Sequence, residues 1–427
     1  MKKTVLMIAP YFIPRRRVGA LRPFKFAIYL RSHGYQPVIL TISSPGDRYT
    51  ELENKLLEEI PVIEIQPPFD RTTNPKRDSD SEQKATPLLD WLDKQTPIDS
   101  WIYLFLLRYF KIRKKVKEID PDLIWATGDP WSGLWLGEKL ARSLSKPFVA
   151  DFRDPWTLAE VNLRDRSPFS MKLDRDLEFK ILLNAERVVF TSGLTEKRYL
   201  NEFNLSTDKT KTIYNSYDSR LIKEYENETW GENLNPDFLN IMFFGRFRRL
   251  SPVTPIADAL RMLKRVRPED ASYIHIHSFG KPDAENSQII RKYGLENNFI
   301  CHEPVVPEKM LPVLKSADIL LLSTNMKREQ VIPAKLWDYL AVQIPIFSIT
   351  ANPEIGDIIM RSKAGIQVHP EEKKEIAELL HSFARAKQNG ETFLLSAEKE
   401  IPDRNMYDAK HTSGELASLF DELLKNG

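Results

Sequence analysis

The segment around residue 335 combines a proline, a lysine and a carboxylate in an order that suits a phosphate-bearing ligand. Pro333 fits the first turn of a helix, and Lys335 follows it closely. The N-terminus of a helix attracts anions, so a lysine there would face a bound phosphate. Asp338 lies nearly on the same helix face and can accept ribose hydroxyls. The alternative is an ordinary ion pair between Lys335 and Asp338.

A second basic segment lies earlier in the same half of the chain. Ile241–Phe244 is predicted to be a strand, and it is followed by Gly245, Arg246, Arg248 and Arg249. A glycine at a strand end lets a phosphate approach the backbone, and guanidinium groups can neutralise a diphosphate without a metal ion. The alternative is a basic surface cluster without a ligand.

In the first half of the chain, polar residues follow two predicted strands. After the first predicted strand, three consecutive arginines are followed by Gly19 and Arg22, at or just before the start of a predicted helix. This arrangement suits an anion. Behind a later strand, Asp129 and Trp131 lie in a turn, where a carboxylate and an exposed aromatic suit a hydroxyl-rich ligand. The alternatives are a solvated basic loop and a simple helix cap at Ser132.

A third polar segment of this half begins at the end of the predicted strand Phe148–Phe152. It contains Asp151, Arg153 and Asp154. Two carboxylates and an arginine at a strand end can hold sugar hydroxyls or carry out acid–base chemistry. An Asp–Arg pair that satisfies itself explains the same residues equally well.

Composition excludes several classes of protein. In the 427-residue chain, Lys plus Arg is 62 and Asp plus Glu is 60, a balance that argues against a dedicated nucleic-acid binder. Cys301 is the single cysteine, so no intramolecular disulfide can form and a reducing cytoplasm is expected. No stretch approaches the roughly 18 apolar residues of a transmembrane helix. We expect a soluble protein, or one attached to a membrane surface.

Short apolar runs alternate with helical patterns in both halves, which is typical of parallel sheets covered by helices on both faces. We therefore expect an α/β protein with two Rossmann-like domains at residues 1–218 and 219–405. A polar insertion at about 67–97 interrupts the first domain, and an amphipathic helix at 406–427 is expected to pack back on it. Trp101–Lys117 is predicted to be a buried helix with a basic end, with contact to an anionic membrane as the alternative.

Three stretches resemble a bacterial subgroup of the group 1 glycosyltransferases, which form family 4 of the GT-B enzymes. They are Val18–Leu30 with Gly34–Val38, Ala150–Thr157 and Ile332–Ala341. The resemblance spans nearly the full length and implies two Rossmann-like domains whose parallel sheets face across a cleft. It also implies transfer of a sugar from a nucleoside-diphosphate sugar to an acceptor hydroxyl with retention of configuration, without a metal or another cofactor.

The resemblance assigns expected roles to individual residues. The family has two glutamates in this segment. At the first position this chain has Gln330, with Glu329 beside it, and at the second position it has Asp338. The family's lysine after the phosphate-binding arginine has no clear counterpart, and Arg248 or Arg249 can substitute. The expected sites are a catalytic group of Asp151, Arg153 and Asp154, an acceptor side of Arg22, Asp129 and Trp131, and a donor site of Gly19, Arg246, Arg249, Glu329, Gln330, Lys335 and Asp338.

The implied partners are a nucleotide-sugar donor and a glycan or lipid-linked acceptor, in the synthesis of bacterial cell-surface polysaccharide or glycolipid. The expected location is the cytoplasm, with peripheral contact to the inner face of the plasma membrane, and no nucleic acid is expected. The Asp-x-Asp pairs at 78/80 and 174/176 do not follow strands, so metal-dependent chemistry is not expected. Two alternatives stay open: a non-hydrolysing nucleotide-sugar epimerase and a catalytically silent sugar-nucleotide binder.

Overall fold

The computed structural model describes residues 2–67, 97–159, 166–224, 227, 230, 234–306, 309–328, 330–391, 393 and 404–425. Glu329, nearly all of the expected insertion at 67–97 and the Asp-x-Asp pair at 78/80 lie outside these ranges. The chain divides into two compact units. The first comprises Met1–Asn215 and Ala409–Gly427, and the second comprises Ser216–Asp408.

The first unit is built on a sheet of seven parallel strands. These are β1 (Lys3–Ile8), β2 (Tyr35–Ile42), β3 (Val62–Ile65), β4 (Leu123–Gly128), β5 (Phe148–Phe152), β6 (Arg187–Phe190) and β7 (Thr210–Thr212). Their spatial order is β3-β2-β1-β4-β5-β6-β7. The chain therefore crosses the sheet after β3, and the strand order changes direction between the neighbours β1 and β4.

Helices cover both faces of this sheet. Within the described residues they are α1 (Val18–Leu30), α2 (Glu51–Leu57), α3 (Ile102–Ile119), α4 (Ser132–Leu144), α5 (Pro168–Asn184) and α6 (Gly193–Phe203). Successive strand residues point to opposite faces, so Leu6 and Ile8 join one buried cluster while Val5 and Met7 join the other. Burial on both faces explains why these strands are continuous apolar runs.

Strand β7 is linked to α6, because the hydroxyls of Thr210 and Thr212 both donate to the Glu196 carboxylate. One prediction about this unit differs from the structure. Helix α3 buries only one face at its start, which carries Ile102, Leu104 and Phe105. Its apolar side chains are exposed along one face: Tyr103 at 53%, Leu106 at 52%, Leu107 at 76% and Phe110 at 83%.

The second unit repeats the design with a six-stranded parallel sheet in the order β10-β9-β8-β11-β12-β13. The strands are β8 (Leu239–Phe243), β9 (Ile274–Phe279), β10 (Phe299–His302), β11 (Ile319–Ser323), β12 (Ile346–Ile349) and β13 (Gly365–Val368). The described helices are α7 (Ser219–Glu224), α8 (Thr254–Val266), α9 (Pro268–Ser272), α10 (Ala284–Lys292), α11 (Met310–Lys315), α12 (Lys335–Val342), α13 (Pro353–Arg361) and α14 (Lys373–Asn389).

The last helix, α15 (Ala409–Lys425), belongs to the first unit. Its residues Leu416, Leu419 and Phe420 are buried in the same cluster as the apolar face of α1. At its far end, the Asp421 carboxylate accepts hydrogen bonds from Lys3 Nζ at 2.9 Å and Tyr35 Oη at 2.8 Å. The first unit is thus completed by a segment that follows the second unit in the chain.

Within the described residues, no helix combines the length and the apolar character that crossing a membrane requires.

Candidate functional site

In the second unit, the change of direction in strand order falls between β8 and β11, where open parallel sheets bind ligands. Gly245 lies just after β8 with a φ of +127°, a backbone conformation that favours glycine. A Cβ atom at Gly245 would also lie 3.2 Å from Lys335 Nζ. The glycine therefore leaves the backbone open beside a lysine at the start of α12.

Lys335 is a half-buried cation without a polar partner among the described residues. Its Nζ lies 3.6 Å from the centre of the Phe243 ring, a cation–π contact at the end of β8. Burial, with a contribution from the positive charge of Arg248, lowers the pKa of Lys335 to about 7. The side chain is thus held where an anion would relieve its cost of desolvation.

Tyr339 fixes helix α12 against the strand ends. Its hydroxyl accepts a hydrogen bond from the N–H of Phe244 at 3.0 Å and donates one to the carbonyl of Leu321 at 3.2 Å. The hydroxyl therefore joins the ends of β8 and β11 to the helix that carries Lys335. Sequence analysis did not identify Tyr339 or Phe243, since both look like ordinary apolar core residues.

Four other expected donor residues lie near this loop and helix: Arg246 and Arg249 follow β8, Gln330 precedes α12, and Asp338 lies within it. Arg246 is half-buried after β8, whereas the Arg249 side chain is exposed and its N–H donates to Asp283 at 3.1 Å. Gln330 and Asp338 are half-buried. The ion pair between Lys335 and Asp338, the alternative to a phosphate site, is not formed among the described residues.

In the first unit, Arg153 brings together four of the predicted residues at the carboxyl ends of the strands. Its guanidinium donates to the carbonyls of Gly19 at 2.8 Å and Asp129 at 2.9 Å, and to the Asp154 carboxylate at 3.3 Å. A Cβ atom on Gly19 would lie 2.3 Å from Nη1 of Arg153. Glycine therefore allows the Arg153 guanidinium to approach closely at this position.

Arg22 and Asp151 form a buried ion pair below this surface. Asp151 is fully buried and Arg22 is 5% exposed, and Nη2 lies 2.7 Å from Oδ1. The Thr127 hydroxyl donates to the same carboxylate at 2.8 Å, and Arg22 also donates to the Tyr214 carbonyl at 3.0 Å. The sequence placed both residues at a ligand-facing surface. The structure instead makes them a link between α1 and β5, because the two charges satisfy each other.

Trp131 is also placed differently from the expectation of an exposed aromatic. It is 5% exposed, and its ring stacks on Trp156 with centres 5.3 Å apart and planes 4° apart. Burial of both indoles holds the loop after β4 against the loop after β5. Trp131 therefore positions Asp129 and its neighbours and does not present a ring to solvent.

A pocket of about 170 Å³ opens in the first unit beside the loops that follow β1 and β4. Its lining includes Tyr11, Asp99, Trp101, Asp129 and Arg166. The Asp99 carboxylate accepts hydrogen bonds from the N–H groups of Ser132 at 2.9 Å and Trp101 at 3.0 Å, and burial raises its pKa to about 6. Asp99 was not predicted as a site residue. The one feature that could have indicated it is the Asp99–Ser100 pair just ahead of a helical pattern, since aspartate is common at the start of a helix.

Across the described ranges, no group of three or more His, Cys, Asp or Glu side chains converges as a set of metal ligands.

Comparisons with known proteins agree with this architecture. Residues 24–221 match the family model described as Glycosyltransferase Family 4, and residues 239–385 match the model described as Glycosyl transferases group 1. No curated protein matches the chain significantly.

Several solved structures share the fold. Sucrose-phosphate synthase from Thermosynechococcus elongatus aligns with a TM-score of 0.63 and 13% identity, over 100% of both chains. Anabaena Alr3699/HepE in complex with UDP aligns with a TM-score of 0.60 and 16% identity, over 99% of this chain and 100% of that one. The same Anabaena protein is also known in complex with UDP-glucose. A putative UDP-N-acetylglucosamine 2-epimerase from Listeria monocytogenes aligns with a TM-score of 0.56 and 10% identity, over 100% and 98%.

The two family models together span most of both units, and the two parallel-sheet α/β units match the GT-B fold. The chain belongs to the group 1 glycosyltransferases of family 4.

Proposed function

We propose that this protein transfers a hexose-like sugar from a nucleoside-diphosphate sugar to an acceptor hydroxyl, with retention of the anomeric configuration. The observation that carries the proposal is Lys335, a cation without a polar partner among the described residues, held beside Gly245 at the strand-order switch of the second unit. The complexes of the Anabaena protein with UDP and UDP-glucose support a nucleotide-sugar donor for a protein of this fold.

In the proposed reaction, the largest developing charge is on the departing diphosphate. Lys335, Arg246 and the first N–H groups of α12 would stabilise that charge, since donors already oriented for it need little reorganisation. Asp338 would accept the ribose hydroxyls, and Glu329 and Gln330 would hold the sugar. No metal ion is part of the proposal, so activity should survive chelation with EDTA.

The acceptor is assigned to the first unit. Arg153 and Asp154 would lie next to the acceptor hydroxyl, and Gly19 keeps Arg153 in place through its carbonyl. We propose an acceptor from bacterial cell-surface polysaccharide or glycolipid synthesis, used on the cytoplasmic side of the plasma membrane. The exposed apolar face of α3, with its basic neighbours, supports contact with an anionic membrane surface.

A binding screen with UDP-, GDP-, ADP- and CMP-sugars, followed by a transfer assay, tests this function. Arg246→Ala should weaken binding of the nucleoside diphosphate by about 1.5–3 kcal/mol, as expected for lost charge-assisted hydrogen bonds. Isothermal titration calorimetry measures the change, and Arg265→Ala on the exposed end of α8 is the matched control. Unchanged affinity of Arg246→Ala would refute the diphosphate assignment.

The same assay separates the alternatives. Epimer formation from a nucleotide sugar without acceptor would indicate an epimerase, a class that shares this fold. Donor binding without transfer or hydrolysis across a broad acceptor panel would indicate a silent binding protein.

A further inference from the structure

The electrostatic surroundings of Lys335 are unusual for a lysine at a proposed anion site. The ammonium group has no ion pair or hydrogen bond with a described residue, and it lies over the Phe243 ring and close to Gly245. A lysine that loses part of its water and gains only the face of a phenyl ring, with no hydrogen bond or ion pair, is destabilised in its charged form. In the free protein, the surroundings of Lys335 therefore disfavour the charge that a diphosphate needs.

The charged groups around Lys335 do not offset this cost. From the loop after β8, Arg248 adds a second positive charge, and Arg246 lies in the same loop. From its own helix, Asp338 is half-buried one turn away and forms no ion pair with Lys335. The Tyr339 hydroxyl is occupied by the two backbone groups at the ends of β8 and β11, and burial raises its pKa, so it stays neutral.

We propose that Lys335 gives up its proton readily in the free protein and takes up one proton from solvent when a diphosphate binds. The lone pair on Nζ accepts the proton, and the diphosphate keeps both its negative charges. Donor recognition is thereby coupled to protonation of this side chain. The inference rests on the proposed function, since it concerns the same donor site.

The direction in which the affinity changes with pH follows from the pKa of Lys335 in the free protein and in the complex with a diphosphate. The pKa of Lys335 is lowered to about 7 in the free protein, and a bound dianion raises it. Below pH about 7 the lysine is charged in both states, so affinity is constant. Above that pH the free protein must gain a proton to bind, so affinity falls about tenfold per pH unit until the pKa of the complex is reached.

The first experiment needs no ligand. Lysines of the intact protein are labelled with limiting acetic anhydride from pH 5 to 10, and the labelling of each residue is followed by mass spectrometry. The labelling of Lys335 should show an inflection near pH 7, and Lys374, an exposed lysine on α14, serves as the reference for general reactivity. The absence of an inflection near pH 7 in the labelling of Lys335 would overturn the inference.

The second experiment is calorimetry with UDP-glucose, whose diphosphate is a diester and does not titrate near neutrality. At pH 8, the binding enthalpy is measured in buffers of different ionisation enthalpy and plotted against that enthalpy. The slope of this plot gives the number of protons taken up per UDP-glucose bound, and it should approach one. Lys335→Arg keeps a permanent cation and should abolish this slope. Lys335→Met should bind weakly at every pH, and Lys374→Met should behave as the unchanged protein.

The outcomes separate this inference from the proposed function. Binding of UDP-glucose with equal heats in all buffers, or with a proton uptake that survives in Lys335→Arg, would overturn the inference alone. Absence of binding by the unchanged protein at every pH, for UDP-glucose and for the other nucleoside-diphosphate sugars of the screen, would overturn the proposed function and the coupling with it.

Discussion

At the scale of single residues, Gly19 contacts the side chain of Arg153, which is distant in the sequence. Its carbonyl accepts a hydrogen bond from Arg153, and a Cβ atom would meet the guanidinium at 2.3 Å. Gly19→Ala should therefore displace Arg153 and reduce turnover about 10- to 100-fold, since small displacements of positioning groups have such effects. The flexible arginine can move, so the melting temperature should change little.

Steady-state kinetics and thermal unfolding measure the two effects of Gly19→Ala. Val18→Ala is the matched control, because Val18 is 65% exposed in the same turn. Full turnover in Gly19→Ala would remove Arg153 from the proposed site.

Glu178 is a buried carboxyl whose protonation depends on folding. It is fully buried and accepts hydrogen bonds from the Tyr199 hydroxyl and the N–H of Thr157, and burial raises its pKa to about 7 from 4.5. The folded state therefore binds this proton more tightly than the unfolded state does. Its contribution to stability is complete below pH 4.5 and is lost as pH rises to about 7, by up to about 3 kcal/mol.

Glu178→Gln should remove this part of the pH dependence, because glutamine is neutral throughout. Urea denaturation between pH 4.5 and 8 measures the free energy of unfolding, and Glu202→Gln on the surface is the control. An identical pH profile for Glu178→Gln and the unchanged protein would contradict the prediction.

The residue scale also shows what the sequence can and cannot predict about the site. Lysine, glycine and proline near residue 335 predict an anion site because their properties are local. The Arg153–Gly19 hydrogen bond joins residues 134 apart, and the Arg22–Asp151 pair joins residues 129 apart. Nothing local distinguishes an aspartate that faces a ligand from one that neutralises a buried arginine. Trp131 was misplaced for the same reason, since its stacking partner Trp156 follows a different strand.

At the scale of elements, most of the parallel strands were predictable because they are short, continuous apolar runs, whereas β7 consists of Thr210, Lys211 and Thr212. The helix α3 was not, since its pattern of apolar residues fits a buried helix as well as an exposed one. The structure leaves Leu107 76% exposed and Phe110 83% exposed, next to the exposed Arg108 and Lys111. Apolar and basic side chains on one exposed face are typical of helices that lie on anionic membranes.

Leu107→Asp with Phe110→Asp should therefore reduce binding to vesicles. Sedimentation with vesicles of phosphatidylglycerol and phosphatidylcholine measures binding, which should weaken in high salt because the basic part of the attraction is screened. Leu183→Asp, at an exposed leucine on α5, is the matched control. Equal binding of both variants, or no binding by the unchanged protein, would contradict membrane contact through α3.

At the scale of the whole molecule, the first unit depends on a helix that comes last in the chain. Helix α15 buries Leu416, Leu419, Phe420 and Leu423 in the cluster shared with α1. Each such side chain contributes roughly 1.5–3 kcal/mol, so their sum is comparable to the total stability of a domain. A chain that stops after Asp408 should lose the fold of the first unit, whereas the second unit contains none of these residues and should keep its protection.

Hydrogen exchange followed by mass spectrometry tests this difference unit by unit. Phe420→Ala is a milder version and should destabilise the first unit by about 3–5 kcal/mol. Glu422→Ala on the exposed side of α15 is its control. Equal loss of protection in both units after truncation would contradict the prediction.

The place of α15 also has a consequence during synthesis of the protein. Domains generally fold as units as they leave the ribosome, the N-terminal one first. Here the ribosome must translate all of Ser216–Asp408 before the helix that covers α1 exists. Until then, the apolar face of α1 is open to chaperones and to other nascent chains. We therefore expect the second unit to reach its native core first, although its sequence is translated later.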